Sequence, residues 1–225
     1  MKSENLNIID VGVKDYGEML EKQREIFSIM VEKKKLGQPI GDEYLFLVEH
    51  NPVVTLGKHA KTANVLFSEE MLRMRGVDLY HIERGGDVTY HGPGQLVMYP
   101  LIDLESHHLG VKDYVNMLEE AVILTLGEYG VKGERVQGAS GVWIAASTAA
   151  ERKICALGVK CSRFITMHGL ALNVNTDLSG FNLINPCGFT DKGVTSIAKE
   201  LGHFCDMNDV KQKLSFHFKS LLHCK

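Results

Sequence analysis

What this 225-residue chain lacks narrows it first. It has no apolar run long enough to cross a bilayer, and Met1 to Val13 opens on charged and polar side chains. Neither membrane insertion nor secretion is indicated, and a cytoplasmic location is expected. The five cysteines, Cys155, Cys161, Cys187, Cys205 and Cys224, are odd in number and scattered. That argues against a disulfide framework, and with no CxxC pair no metal is expected. The 25 basic residues face 28 acidic ones, for a formal net charge of -3, so no dominating basic field calls for a nucleic-acid partner. Neither GxGxxG nor the Walker pattern occurs, so no nucleotide phosphate cradle is supported. No repeat, low-complexity tract or linker forces a cut, and residues 1–225 read as one domain.

What is present alternates between helical and strand signals. Tyr16, Met19, Leu20, Ile26, Phe27, Met30 and Val31 recur at near-helical spacing before a lysine cluster and Gly37, which predicts an amphipathic helix. Tyr44 to Val48 and Val53 to Leu56 read as strands around His50-Asn51-Pro52, and Ser68 caps a short helix ending at Gly76. Asp78 to Ile82 and Leu96 to Ile102 read as strands bracketing a glycine-rich connection, and Val111 to Tyr129 as a helix. Gly141 to Ala145 and Lys153 to Lys160 form a hairpin around 146–150, and an extended stretch runs from Phe164 to Val174. Thr195 to Leu201 and Val210 to Leu222 close the chain as helices. Strict βαβ alternation is absent, so the expected fold is α/β (α+β) with a mixed, largely antiparallel sheet flanked by helices.

Four segments could carry chemistry. Arg84 to Gln95 packs four glycines and a proline beside Arg, Thr, Tyr and His; such a stretch is a ligand wall or a long structural turn. Lys153 opens an otherwise apolar strand, and is either an exposed edge residue or an ammonium set in a pocket. His168 heads the small and aliphatic run to Asn173, and it, like His91, is a general base or a hydrogen-bonded structural ring. Cys187 differs from the other thiols in lying between Pro186 and Gly188, outside any apolar periodic segment. A thiol of pKa about 8.5 needs a neighbouring cation to ionise at neutral pH, and Lys153 is a candidate.

Taken together and in this order, the segments resemble the lipoyl(octanoyl) transferases. The family's Arg-Gly-Gly-x-x-Thr-Tyr-His-Gly-Pro-Gly-Gln-Leu-Val-x-Tyr-Pro is met by Arg84 to Pro100, its Lys-Ile-x-Ala/Ser-x-Gly by Lys153 to Gly158, its His-Gly-Leu-Ala-Leu-Asn-Val by His168 to Val174, and its Ile-Asn-Pro-Cys-Gly by Ile184 to Gly188. The resemblance spans about Tyr44 to Thr195 and loses no motif residue. It implies a biotin/lipoate protein ligase-like fold in which Cys187 carries an acyl thioester and Lys153 lowers its pKa. It places substrate binding on Arg84, Gly85, Gly86, Asp87, Val88, Thr89, Tyr90 and His91, on Ala156, Leu157 and Gly158, and on Gly169, Leu170 and Ala171. The implied donor is octanoyl-acyl carrier protein, and the implied acceptors are lipoyl domains of 2-oxoacid dehydrogenase E2 subunits and the glycine cleavage H protein, with no cofactor. Arg73, Arg75, Arg84, Lys160 and Arg163 are candidate docking charges for an acidic carrier. Rival readings are an ATP-dependent ligase, a Cys-His hydrolase, and a carrier-binding protein without turnover.

Overall fold

Leu45, Phe46, Leu47 and Val48 are consecutive, apolar and all buried, as a strand must be when both faces of its sheet are covered. A computed structural model of the protein describes residues 6–185 and 193–223. Its strands are β1 (Leu6–Lys14), β2 (Glu43–His50), β3 (Val53–Leu56), β4 (Asp78–His81), β5 (Val88–His91), β6 (Gln95–Leu101), β7 (Glu134–Val136), β8 (Ala139–Ile144), β9 (Arg152–Ser162), β10 (Ile165–Asn173) and β11 (Gly193–Val194). Its helices are α1 (Tyr16–Lys35), α2 (Glu69–Met74), α3 (Val111–Glu128), α4 (Ile197–Leu201) and α5 (Met207–His223). The main sheet runs β1-β2-β6-β10-β9-β8-β7, with β11 added beside β9, and a smaller sheet runs β4-β3-β5. Among the described residues parallel pairing is confined to β1–β2, β3–β4 and β9–β11, so the mixed, largely antiparallel α+β architecture expected from the sequence is the one observed.

The main sheet separates two cores. Phe46, Val48, Val97, Tyr99, Met167 and Ala171 pack on the side of α1, against Tyr16, Met19, Leu20, Phe27 and Met30. The alternate residues Leu45, Leu47, Leu96, Met98, Leu170 and Leu172 pack on the opposite side, against Tyr114, Leu118 and Val122 of α3 and Leu214 and Phe218 of α5. This is the period-two alternation of a pleated strand with both faces apolar. A third cluster, with Val54, Leu56, Val88 and Tyr90, joins the small sheet to α2 and to the 3-10 turn Leu178–Leu183. No helix among the described residues is long and apolar enough to cross a membrane.

Among the described residues, the sequence pattern points to all five helices and seven of the eleven strands, leaving out β1, β5, β7 and β11. Ser68 caps α2 as expected, its hydroxyl accepting from Met71 N at 3.2 Å. The glycine-rich connection after β4 is corrected in part, because it contains β5, paired with β3 from Val53↔His91 to Leu56↔Val88. β1 escaped notice because an edge strand half open to solvent carries little apolar alternation; five of its nine residues are exposed.

Candidate active site

Where β9 meets β10 the side facing α1 is almost bare. Gly158 pairs directly with Gly169, and Ala156 with Ala171, while the intervening pair Leu157↔Leu170 belongs to the opposite face. Two rungs of small residues therefore leave a trough in an otherwise filled sheet surface. The trough cannot close by sliding. A Cβ on Gly169 would overlap the Met98 carbonyl oxygen and lie 2.9 Å from Pro100 Cδ, and one on Gly158 would lie 2.8 Å from Gly85 O. Pro100 also has no N–H to give to β10. Next to it His168 adopts φ 63° and turns its N–H to Gln23 Oε1 of α1 at 3.1 Å. Its side chain borders the cavity instead of following Thr166 and Leu172 into the far core.

Arg84 anchors the facing wall. Its buried guanidinium donates to the carbonyl and hydroxyl oxygens of Thr55 at 2.8 and 2.9 Å and to Gly85 O at 3.1 Å. The backbone of Gly57 to His59 donates to the carbonyls of Asp87, Arg84 and Gly86, and Gly85 N donates to Val159 O at 2.9 Å. A glycine-rich segment is thus a rigid wall laid across β9. The cavity between wall and trough encloses about 830 Å³ of empty space, part of it open to solvent. Arg84, read above among the docking charges, is 8% exposed and cannot serve as one.

Lys153 reaches this cavity through an irregularity in β9. Cys155 pairs with Val142 of β8, but Lys153 pairs with Trp143, so one residue of β9 is extra. Ile154 and Cys155 both enter the α3-side core, and the bulge returns Lys153 to the face of Ala156. Its Nζ sits 4.5 Å from the centroid of the Trp143 ring, a cation–π contact. Around it lies a buried polar set: His91 Nδ1 to Gln95 Oε1 at 2.7 Å, Gln95 Nε2 to Asn173 Oδ1 at 2.9 Å, and Asn173 Nδ2 to Thr195 O at 2.9 Å.

Cys187 lies outside the described residues, but the chain on both sides of it is tied down. Asn185 N donates to Asn64 O at 2.7 Å, and Ile184 bridges Val65. On the other side Val194 pairs with Lys153, and Thr195 N donates to Lys153 O at 2.9 Å. Thr195 and Arg152 both bond Glu200, Arg152 Nε at 2.7 Å. Burial pushes the described thiols Cys155, Cys161 and Cys205 up in pKa, away from thiolate chemistry.

Of the residues expected to bind substrate, Arg84, Gly86, Asp87, Val88, Thr89, His91, Ala156, Leu157, Gly158, Gly169, Leu170 and Ala171 border the cavity, as does Lys153. Gly85 and Tyr90 do not: Gly85 is bonded to β9, and Tyr90 packs edge-on to Phe181 at 5.5 Å on the small sheet's side. Sequence reading missed Tyr16, Val97, Tyr99, Ser140, Asn173, Phe181 and Val194 as lining residues. Tyr16 and Tyr99 sit in core-like patterns, and only the unusual run ending Tyr99-Pro100 offered a signal.

Sequence comparison decides the family. The lipoyl protein ligase A/B catalytic domain matches residues 16–219. A protein named octanoyltransferase from Parabacteroides distasonis is 52% identical over 219 residues, covering 97% of this chain and 99% of that one. Another from Bacteroides fragilis is 53% identical over 199 residues, covering 88% and 90%. The chain belongs to the octanoyltransferase family. Membership makes it an acyltransferase. Among solved structures, a lipoate-protein ligase A bound with ATP superposes with a TM-score of 0.68 at 16% identity, covering 99% of this chain and 86% of that one. A bipartite lipoate protein ligase from Thermoplasma acidophilum, determined with its E2 lipoyl domain, gives 0.69 at 16% identity, covering 99% and 85%. At that identity they establish the family's fold and no more.

Burial holds His91 and His168 neutral, lowering both from 6.5 to about 3, and also lowers His50. The unfolded chain binds these protons as pH drops below 6.5 and the fold does not, so stability is full above 6.5 and declines toward 3. Each of the two rings should cost about 2 kcal/mol at pH 5 relative to neutral pH. Urea midpoints measured from pH 7.5 to 5 should fall steadily; a flat profile would contradict neutral buried rings.

Proposed function

We propose that the cavity holds an octanoyl chain and that the family's octanoyl transfer runs from octanoyl-acyl carrier protein to a lysine of lipoyl domains through a thioester on Cys187. The observation that carries this reading is the placement of Lys153: a β-bulge sets its ammonium on a cavity with a small-residue floor, and the strand paired with it follows directly on the segment containing Cys187.

The chemistry follows from the parts. Lys153 stabilises the Cys187 thiolate, which attacks the donor thioester carbonyl and releases the carrier's thiol. One thioester replaces another, so the step is nearly isoenergetic. The acyl chain lies along the Ala156–Ala171 and Gly158–Gly169 rungs, with Val97, Tyr99 and Phe181 around it. Each buried methylene contributes roughly 0.8 kcal/mol. A lysine amine of the acceptor then displaces sulfur and forms an amide, which is more stable than the thioester and drives the reaction without ATP. The acceptors are the lipoyl domains of E2 subunits and the H protein. The fold shared with an ATP-bound ligase keeps an adenylate route as the alternative, and the octanoyltransferase relatives weigh against it.

Purified protein given octanoyl-carrier and a lipoyl domain should octanoylate the domain with ATP absent, and Cys187→Ser should lose at least about a hundredfold in rate. Wild-type transfer by Cys187→Ser, or a strict need for ATP, would refute the scheme. Lys153→Met should slow alkylation of Cys187 at neutral pH far more than at alkaline pH, because it removes the cation favouring thiolate. Equal slowing at both pH values would show that Lys153 does not set the thiol's ionisation.

A further inference from the structure

The Thr195 carbonyl can only accept a hydrogen bond, and that fixes the direction of every bond leading away from it. Asn173 turns Nδ2 toward Thr195 O, 2.9 Å away, which leaves Oδ1 on its other side. Oδ1 accepts from Gln95 Nε2 at 2.9 Å, and the same Nε2 donates to a second backbone carbonyl, Tyr90 O, at 3.2 Å. Gln95 therefore presents Oε1 to His91 Nδ1 at 2.7 Å. An amide oxygen has no hydrogen to give, so Nδ1 carries the proton and Nε2 is a bare acceptor. The four residues are all buried, and Thr195 N–H to Lys153 O, at 2.9 Å, registers the chain of bonds on β9. Among the described residues Nε2 has no hydrogen-bond partner, and the ring borders the same cavity as Lys153.

We infer that His91 is a further catalytic residue of the acyl transfer, whose Nε2 accepts one N–H of the attacking lysine amine and so aims that nitrogen's lone pair at the acyl carbon. The inference rests on the reading proposed above. The nitrogen bonds to the thioester carbonyl carbon, the C–S bond breaks, and one amine hydrogen passes as a proton to the departing sulfur. The other hydrogen, the one held by His91, remains on the product amide. The ring orients and does not take the proton: it stays neutral down to about pH 3. Its ionisable surroundings agree, since Tyr16 stacks on it at 5.9 Å, His50 lies edge-on at 6.0 Å, and the Arg84 guanidinium disfavours a second positive charge. Gln95 and Asn173 are positioning residues that fix the tautomer.

Two substitutions separate the ring's two nitrogens. His91→Asn places an amide donor near the position of Nδ1 and keeps the bond to Gln95 while removing the acceptor. His91→Gln places an amide oxygen near the position of Nε2. Octanoyl-enzyme is formed from octanoyl-acyl carrier protein and then mixed rapidly with a lipoyl domain. His91→Asn should slow transfer to lysine about tenfold more than it slows acylation, the effect of one hydrogen bond made only to the amine, and His91→Gln should recover much of that difference. In the unsubstituted protein, ¹⁵N NMR at neutral pH should show Nδ1 protonated and Nε2 bare. Transfer by His91→Asn within twofold of the parent, equal loss in both half-reactions, or a proton on Nε2 overturns the inference. If the parent forms no acyl-enzyme at all, the underlying reading falls, and this inference with it.

Discussion

The site depends on side-chain parity along two strands. On β10 and most of β9, successive residues alternate between a core under α3 and the face toward α1, and on the second face two adjacent rungs, Ala156–Ala171 and Gly158–Gly169, carry only glycine and alanine. Bulk is sent to the far side by Leu157, Leu170 and Leu172, so stability and an empty trough come from the same strands. One extra residue in β9 shifts the parity and turns Lys153 onto the trough. Without the bulge, the lysine would face the apolar core with Cys155, where a charge is costly to bury.

Rigidity comes from polar groups buried with their partners. Arg84 reaches inward to Thr55, and backbone N–H groups of the turn after β3 take up the carbonyls of the Arg84–Asp87 segment. A segment whose composition suggests mobility is held on two sides. Satisfied networks of this kind specify one arrangement, because leaving any member unpaired costs a desolvation penalty. On the same cavity the amide chain through Gln95 and Asn173 ties the histidine to the strand that carries Lys153.

Much of this was legible in the sequence, for identifiable reasons. Helices with a wide apolar stripe, such as α1 and α3, announce themselves by period, and the motif segments stood out by their density of glycine beside polar residues. What could not be read was geometry that depends on pairing. The chain Lys153-Ile154-Cys155-Ala156 gives no sign that its middle two residues share a face, since that follows from the register with β8. Arg84 looks like any surface cation until Thr55, twenty-nine positions away, is found to receive it. Tyr90 and His91 are neighbours in one motif, yet β5 sends them to different sides, one to the small sheet's core and one to the cavity.

The central claim is that the Ala156–Ala171 and Gly158–Gly169 rungs are the floor on which the acyl chain lies. It is tested most directly by the chain-length profile of Ala171→Leu, which adds bulk to the trough and leaves Lys153 and the residues of the polar network unsubstituted. Octanoyl transfer should fall about tenfold or more while transfer of a four-carbon acyl group is largely kept, because the added bulk displaces methylenes worth roughly 0.8 kcal/mol each. An unchanged octanoyl rate, or equal loss at every chain length in a protein of parental stability, would contradict it.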